Sequence, residues 1–299
     1  MLTLLPMLAQ AQTFTVQSDS VLGDPQGRGV GAPSVAYDER HGVFYMFYEV
    51  EVAAPPTCTE AWAVGKAVSD DGLTFTRIPG RFSGPSATFE CGTRSPSVVL
   101  HDDGTLAVFV QALDATSDDG VGVVTNVNGV VERRVLEDLR GLYEPTAARL
   151  DGVWSVMGID PEVGLVVARS ADLESFAFDA APEIANGATP WSADGTAMPS
   201  LGCIDHSSYP WELYFGGFAG AQTGWAWAVS NTAGAWYVTG AYNLWTDDSA
   251  WKNLDFVTDG TSTLVYFETV GEDGIPRVGV SQKGAGIVTS ALRGRDCQL

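Results

Sequence analysis

The chain has 299 residues, 45% hydrophobic and 18% charged, enough to bury a sizeable core as one large domain or two small ones. Lys and Arg total 16 against 37 Asp and Glu, giving a net charge of −21 and a pI near 4.2. Phosphate backbones and anionic membrane surfaces repel such a chain, so nucleic acid is not expected as a partner. The acids are scattered rather than run together, as on a surface kept soluble in a salty or extracellular setting.

The first segment, MLTLLPMLAQA (residues 1–11), is apolar and ends Ala9-Gln10-Ala11, the small-residue pattern of signal-peptide cleavage before Gln12. It reads as a short export signal, leaving residues 12–299 as a single mature domain that is secreted, periplasmic or held at the cell surface. No Lys or Arg precedes the apolar run, so a misplaced start codon is the alternative. No later window reaches the ~18 apolar residues of a membrane span, and no membrane insertion is expected. An even count of four cysteines, Cys58, Cys91, Cys203 and Cys297, suits two disulfides in an oxidising compartment, with three pairings open.

From Gly31 onward the chain repeats itself, and a repeat at a fixed period is a direct sign of architecture. GAPSVAYDERHGVFYMFYEV (31–50) has the order small residue, Pro, Ser, apolar strand, Asp-rich turn with Gly, aromatic strand. TRSPSVVLHDDGTLAVFVQ (93–111), YEPTAARLDGVWSVMGID (143–160) and AMPSLGCIDHSSYPWELYFGG (197–217) follow it, and WKNLDFVTDGTSTLVYFETV (251–270) is a copy without the Pro. After each comes a second hairpin: WAVGKAVSDDGLTFTRI, GVGVVTNVNGVVERRV, GLVVARSADLESFAFD, GWAWAVSNTAGAWYVTG and PRVGVSQKGAGIVTS. Ser69, Thr125, Ser170, Ser230 and Ser281 mark the shared corner. Two short strand pairs per unit, rich in β-branched and aromatic residues and joined by Gly and Asp turns, predict an all-β fold. Five units of roughly 50 residues around an axis predict a five-bladed β-propeller of four-stranded antiparallel blades. A stacked β-sandwich explains the strands but not in-phase copies. Either Phe14–Leu22 or Gly284–Leu292 supplies the strand that closes the ring.

In such a ring the first strand of each blade lines the axis, and its opening residues share one face with the inter-blade loops. The turns between first and second strands lie on the far face. His41, His101 and His206 fall there, so neither a histidine metal site nor a Ser-His-Asp triad is expected, and no metal or cofactor is assigned. Asp38, Asp102, Asp103 and Asp205 in the same turns read as turn formers.

At the axis stand Ala32, Ser95, Glu144, Met198 and Asn253, preceded by Gly31, Arg94, Tyr143, Ala197 and Lys252. Glu144 is the only carboxylate among them, a catalytic candidate or else a solvated loop residue. Arg94 faces the same cavity, placed to hold a sugar hydroxyl or carboxylate, or else to pair with Glu90. Trp191 and Trp245, in GATPWSADG and YNLWTDDSAW, suit stacking on a sugar ring or packing between blades. Glu49, Gln111 and Glu268 end second strands on this face and widen the list of candidate binding residues and acids. Cys58 and Cys91 share this rim and are the preferred disulfide, which leaves Cys203 with Cys297 by elimination.

These repeats resemble the five-bladed propeller glycosidases, glycoside hydrolase families 43, 62, 32, 68 and 130, over nearly all of the mature chain. The resemblance rests on GAPSVAYDERHGVFYMFYE, RSPSVVLHDDG, YEPTAARLDGVW and the corners SDDGLTF and RSADLESF, which echo that group's Asp-Pro-Ser-Val starts and Ser-x-Asp-Gly-x-Thr-Trp corners. It implies an Asp before the first-blade Pro as base or nucleophile, commonly another before the second-blade Pro, and a Glu two residues before the third-blade Pro as acid. This sequence has Ala32, Ser95 and Tyr143 at those places, with Glu144 displaced by one, where strand alternation turns a side chain to the other face. Glycoside hydrolysis needs two carboxyl groups. The resemblance thus leaves Glu144 as acid and requires a second from elsewhere. Asp24, in GDPQGRGVGAP, is the first candidate, or else a turn residue before Pro25; Glu49 and Glu268 are the alternatives. The expectation is a secreted, monomeric, glycosidase-like propeller acting on a poly- or oligosaccharide, or an inactive carbohydrate-binding or surface-interaction relative.

Overall fold

The computed structural model describes residues 14–22, 29–101, 103–116, 119–127, 130–150, 152–188, 192–203, 211–219, 222–230, 236–242, 252–258, 263–271, 273–283 and 296–297. The fold is all-β, with no α-helix among the described residues.

The repeats become antiparallel four-strand units. Unit one runs β2 (Gly31–Asp38), β3 (Val43–Glu51), β4 (Trp62–Ser69) and β5 (Thr76–Ser83). Unit two runs β6 (Gly92–Leu100), β7 (Leu106–Leu113), β8 (Gly120–Val127) and β9 (Val130–Arg140). In unit three, β10 (Tyr143–Leu150), β11 (Val153–Asp160) and β12 (Gly164–Ser170) are followed by a split fourth place, β13 (Ala177–Phe178) and β14 (Ile184–Ala185). Unit four is β15 (Gly195–Cys203), β16 (Trp211–Ala219), β17 (Gln222–Ser230) and β18 (Trp236–Tyr242). Unit five is β19 (Lys252–Thr258), β20 (Thr263–Val270) and β21 (Pro276–Lys283), and its outer place is taken by the N-terminal β1 (Phe14–Leu22). Phe14–Leu22 thus pairs with β21, whereas Gly284–Leu292 lies outside the described residues. The C-terminal β22 (Asp296–Cys297) lies parallel to β10 on the edge away from β11.

The first strands touch in cyclic order, β2 with β6, β6 with β10, β10 with β15, β15 with β19, and β19 with β2. Apolar side chains fill the space between successive units. Val35, Met46 and Tyr48 of unit one meet Tyr266 and Val280 of unit five, while Phe47 and Val64 meet Val98 and Val108 of unit two. Phe109 and Val123 meet Trp154 and Val156, Met157 and Leu165 meet Leu213 and Phe215, and Tyr214 stacks on Phe256 with centroids 3.8 Å apart. Each unit alternates its apolar residues toward both neighbours, so no unit buries its faces alone.

The corners close through side-chain to backbone bonds. Ser69 Oγ accepts from the N–H groups of Asp71 and Gly72, and Ser170 Oγ does the same for Asp172 and Leu173. At the far-face turns, Asp38 accepts from Arg40 N and lies 2.7 Å from His41 Nδ1, and Asp103 accepts from Thr105 N. His101 contacts Arg149 and Trp154. His41 and these aspartates therefore serve their turns, while the His101 ring packs against unit three; His206, Asp102 and Asp205 lie outside the described residues.

Every first strand carries a bulge at the same place. The register slips between Gly31 and Ser34, Arg94 and Ser97, Tyr143 and Thr146, Ala197 and Ser200, and Lys252 and Asp255. Within these bulges Ala32, Ser95, Glu144, Met198 and Asn253 all adopt positive φ, from 41° to 49°. Of these, only Asn253 is a residue type that tolerates the left-handed region with ease. Conformations of this kind persist where surrounding bonds hold them, and the bulges form the candidate site.

Candidate functional site

The five bulges surround a narrow axial cavity of ≈ 40 Å³, whose lining includes Pro33, Pro96, Pro145, Pro199 and Leu254. That volume takes water but nothing as large as a six-membered ring.

At the bulge and the residues just after it, the inner edge of a first strand has no sheet partner among the described residues, β22 meeting β10 only at Arg149 and Leu150, yet the buried N–H groups there require acceptors. Acceptors come from the preceding unit in two layers. In the deeper layer Ser34 Oγ accepts from Val98 N, Ser97 Oγ from Ala147 N, Thr146 Oγ1 from Leu201 N, and Asp255 Oδ2 from Val35 N, at 2.5–3.0 Å. In the upper layer, at the mouth, the acceptors are acids and an amide. Glu49 Oε2 accepts from Ser95 N at 3.0 Å, Gln111 Oε1 from Glu144 N at 3.4 Å, and Glu268 Oε2 from Ala32 N at 3.0 Å. The matching position of unit three is Ile159, which cannot accept; Glu144 itself reaches forward to Met198 N at 2.6 Å.

Glu49, Glu144 and Glu268 thus ring the mouth together with Arg94. Burial drives the Glu49 carboxyl up to about 6, against the opposing charge of Arg94 and the Ser95 hydrogen bond, and with the added repulsion of Glu268 and Glu144. Glu144 is also raised, first by burial and further by the charge of Glu268, while the Met198 bond and Arg94 oppose. Among the described residues no three His, Cys, Asp or Glu side chains are grouped closely enough to hold a metal ion.

Arg94 Nε lies 3.6 Å from Glu49 Oε2, and its guanidinium sits 5.0 Å from the Trp62 ring centroid. Its ionic partner is Glu49 rather than Glu90. Beside it the Cys58–Cys91 disulfide joins the two rim segments with Cα atoms 5.6 Å apart, and Trp62 N bonds to Cys91 O. That pairing is the one expected from the shared rim.

The bulge alters the expectation for Glu144. Regular alternation would have turned a residue one place late away from the axis, but the inserted residue returns Glu144 to the cavity lining. Asp24, Trp191 and Trp245 lie outside the described residues, as do the side chains of Cys203 and Cys297. Two participants were not assigned a site role from sequence. Trp62 had no signal beyond being aromatic at the start of a third strand, whereas Asn253 was visible as the fifth of the axis-proximal residues.

No protein-family model matches the chain, and no curated protein does. Solved structures match it throughout. A glycoside hydrolase of the GH130 mannoside phosphorylase family, targeting β-1,2-mannosidic linkages in Candida mannan, aligns with TM-score 0.69 and 11% identity over 95% of this chain and 97% of that one. A glycosyl hydrolase from Bacteroides ovatus gives TM-score 0.64 and 11% identity over 98% and 95%. The catalytic domain of the Coprinopsis cinerea GH62 α-L-arabinofuranosidase gives 0.61 and 11% over 93% and 98%. The fold is that of the propeller-type glycoside hydrolases, at an identity that carries architecture and not activity.

Proposed function

We propose that this chain is an exported five-bladed β-propeller that hydrolyses glycosidic bonds in a plant, algal or microbial poly- or oligosaccharide. Five in-phase units, the cyclic order of first strands and the glycosidase neighbours support the propeller. The observation that carries the activity is Glu144. Its half-buried carboxyl lines the axial cavity and is raised above the ordinary glutamate range by desolvation and by the charge of Glu268, which is the environment of a general acid. Arg94, stacked over Trp62, would hold substrate at the rim. The second carboxyl group is drawn from Asp24, Glu49 and Glu268. The Cys58–Cys91 disulfide supports an oxidising, extracytoplasmic setting.

Glu144→Gln preserves the acceptor for Met198 N and removes the acid. Across a panel of defined glycans its hydrolysis should fall by roughly 10²–10⁴-fold while calorimetric binding persists; unimpaired hydrolysis would end the assignment. Ala32 and Ser95, standing where the related enzymes carry Asp, favour a second reading as a non-catalytic carbohydrate binder. Its signature is a glycan that the wild-type chain retains and never cleaves.

A further inference from the structure

The two acids missing from the sequence positions at the mouth have counterparts in space. Ala32 and Ser95 carry no carboxyl, yet the backbone N–H of each is bonded to one, Ala32 to Glu268 and Ser95 to Glu49. In both cases the carboxylate comes from the end of the second strand of the preceding unit, β20 for Glu268 and β3 for Glu49.

The two are not equivalent. Glu49 is 5% exposed, and its Oε2 is shared between Ser95 N and the Arg94 guanidinium. Water reaches it poorly, and its charge is already neutralised. Glu268 is half-buried and sits in a cradle shaped for it. Gly31 lies directly beneath, where an added Cβ would run into Oε2. The same oxygen accepts from Ala32 N of unit one at 3.0 Å and from Asn253 Nδ2 of unit five at 2.8 Å. Two donors on two units fix the carboxylate, and among the described residues no hydrogen-bond donor is assigned to Oε1.

We propose that Glu268 is the catalytic base, a carboxylate supplied to the Ala32 position from the neighbouring unit, working opposite Glu144 as acid; this assignment rests on the hydrolase reading. In the reaction the bond from the anomeric carbon to the leaving oxygen breaks, its electron pair stays on that oxygen, and the oxygen takes the proton of Glu144. A water oxygen bonds to the anomeric carbon and gives its proton to Glu268 Oε1. Proton exchange with solvent then restores both groups. Asn253 and Gly31 act as positioning residues, one by holding Oε2 and the other by leaving room for it.

The test combines carbon-13 NMR titration of labelled glutamate carboxyls with glycan hydrolysis, in wild type, Glu268→Gln and Ala32→Asp/Glu268→Gln. Gln still offers an acceptor to Ala32 N, and Asp tolerates the positive φ of residue 32. Removing the facing charge should lower the titration midpoint of Glu144. An unmoved midpoint overturns the proposal whatever the activity, because the two carboxyls then do not face each other. Hydrolysis should fall by roughly 10²–10⁴-fold in Glu268→Gln and recover at least about tenfold when Asp is placed at position 32. Full activity in Glu268→Gln overturns the assignment and points to Asp24 or Glu49. If the midpoint shifts but the wild type cleaves no glycan, the hydrolase reading fails, and the catalytic role with it, although the facing of the two carboxyls stands.

Discussion

Glu49 has a raised carboxyl and a structural task at once, and pH separates the two. Its affinity for the proton rises from 4.5 to about 6 on folding, so the folded chain binds that proton more tightly than the unfolded one. The resulting stability is fully present below pH 4.5 and is lost as pH rises through about 6. A shift of this size corresponds to about 2 kcal/mol. Glu49→Gln keeps an acceptor for Ser95 N and cannot titrate, so urea midpoints of wild type should fall relative to the variant between pH 4.5 and about 7. Parallel curves would remove Glu49 as a linked group. At this scale the sequence showed Glu144 and Arg94 through the repeat, because each sits a fixed step from a Pro. It could not show what Glu268 touches. The bond from Ala32 to Glu268 spans 236 residues, and nothing local to either residue marks it.

Strands and corners were legible because their signals are local: Ser and Asp at the turn, alternating apolar residues, Gly where φ is positive. The bulges were less so. Four of the five bulge residues have side chains with no preference for positive φ, and they are held there by acceptors from another unit. The outer edge of unit three is the element least like its sequence reading. SADLESFAFD suggested one continuous fourth strand, whereas β13 and β14 are two-residue pieces joined by residues 179–183. Arg169 grips Asp179 through Nε and Nη2, and this holds Asp179 below the usual carboxylate range despite its burial. Glu183 is pushed up to about 7 by burial and by Asp179, to which it is hydrogen-bonded. Loss of the Glu183 proton sets two negative charges side by side across the joint. Hydrogen exchange of residues 177–186 in wild type should therefore accelerate, relative to Glu183→Gln at the same pH, as pH rises through about 7. Equal exchange in the two proteins across that range would mean the joint is held by its backbone bonds alone, Asp179 N to Val167 O and Glu183 N to Leu165 O.

At the scale of the molecule, unit order was readable from the repeat and the outer partner of β21 was not, since two segments had strand character and nothing in either names its partner. The structure gives the place to β1, and the consequence reaches the site. Units one and five meet along Val21, Leu22, Val35, Tyr48, Tyr266 and Val280, and the same junction carries the bond between Glu268 and Ala32 at the mouth and the one between Asp255 and Val35 beneath it. Removing residues 1–22 strips the outer pairing partner from β21 and takes Val21 and Leu22 out of the core. Two buried apolar side chains contribute about 3–6 kcal/mol, enough to lower the melting temperature by on the order of 10 °C in a domain of this size. The bared edge of β21 would also offer unpaired N–H and C=O groups to a second molecule. The truncated chain should melt lower and show self-association by light scattering, and any hydrolysis should fall with it because the Glu268 cradle spans the loosened junction. A truncated chain that associates no more than the full chain and melts within about 2 °C of it would show instead that β19 to β21 hold unit five without β1, and that the carboxylate from unit five reaches Ala32 without the N-terminal strand.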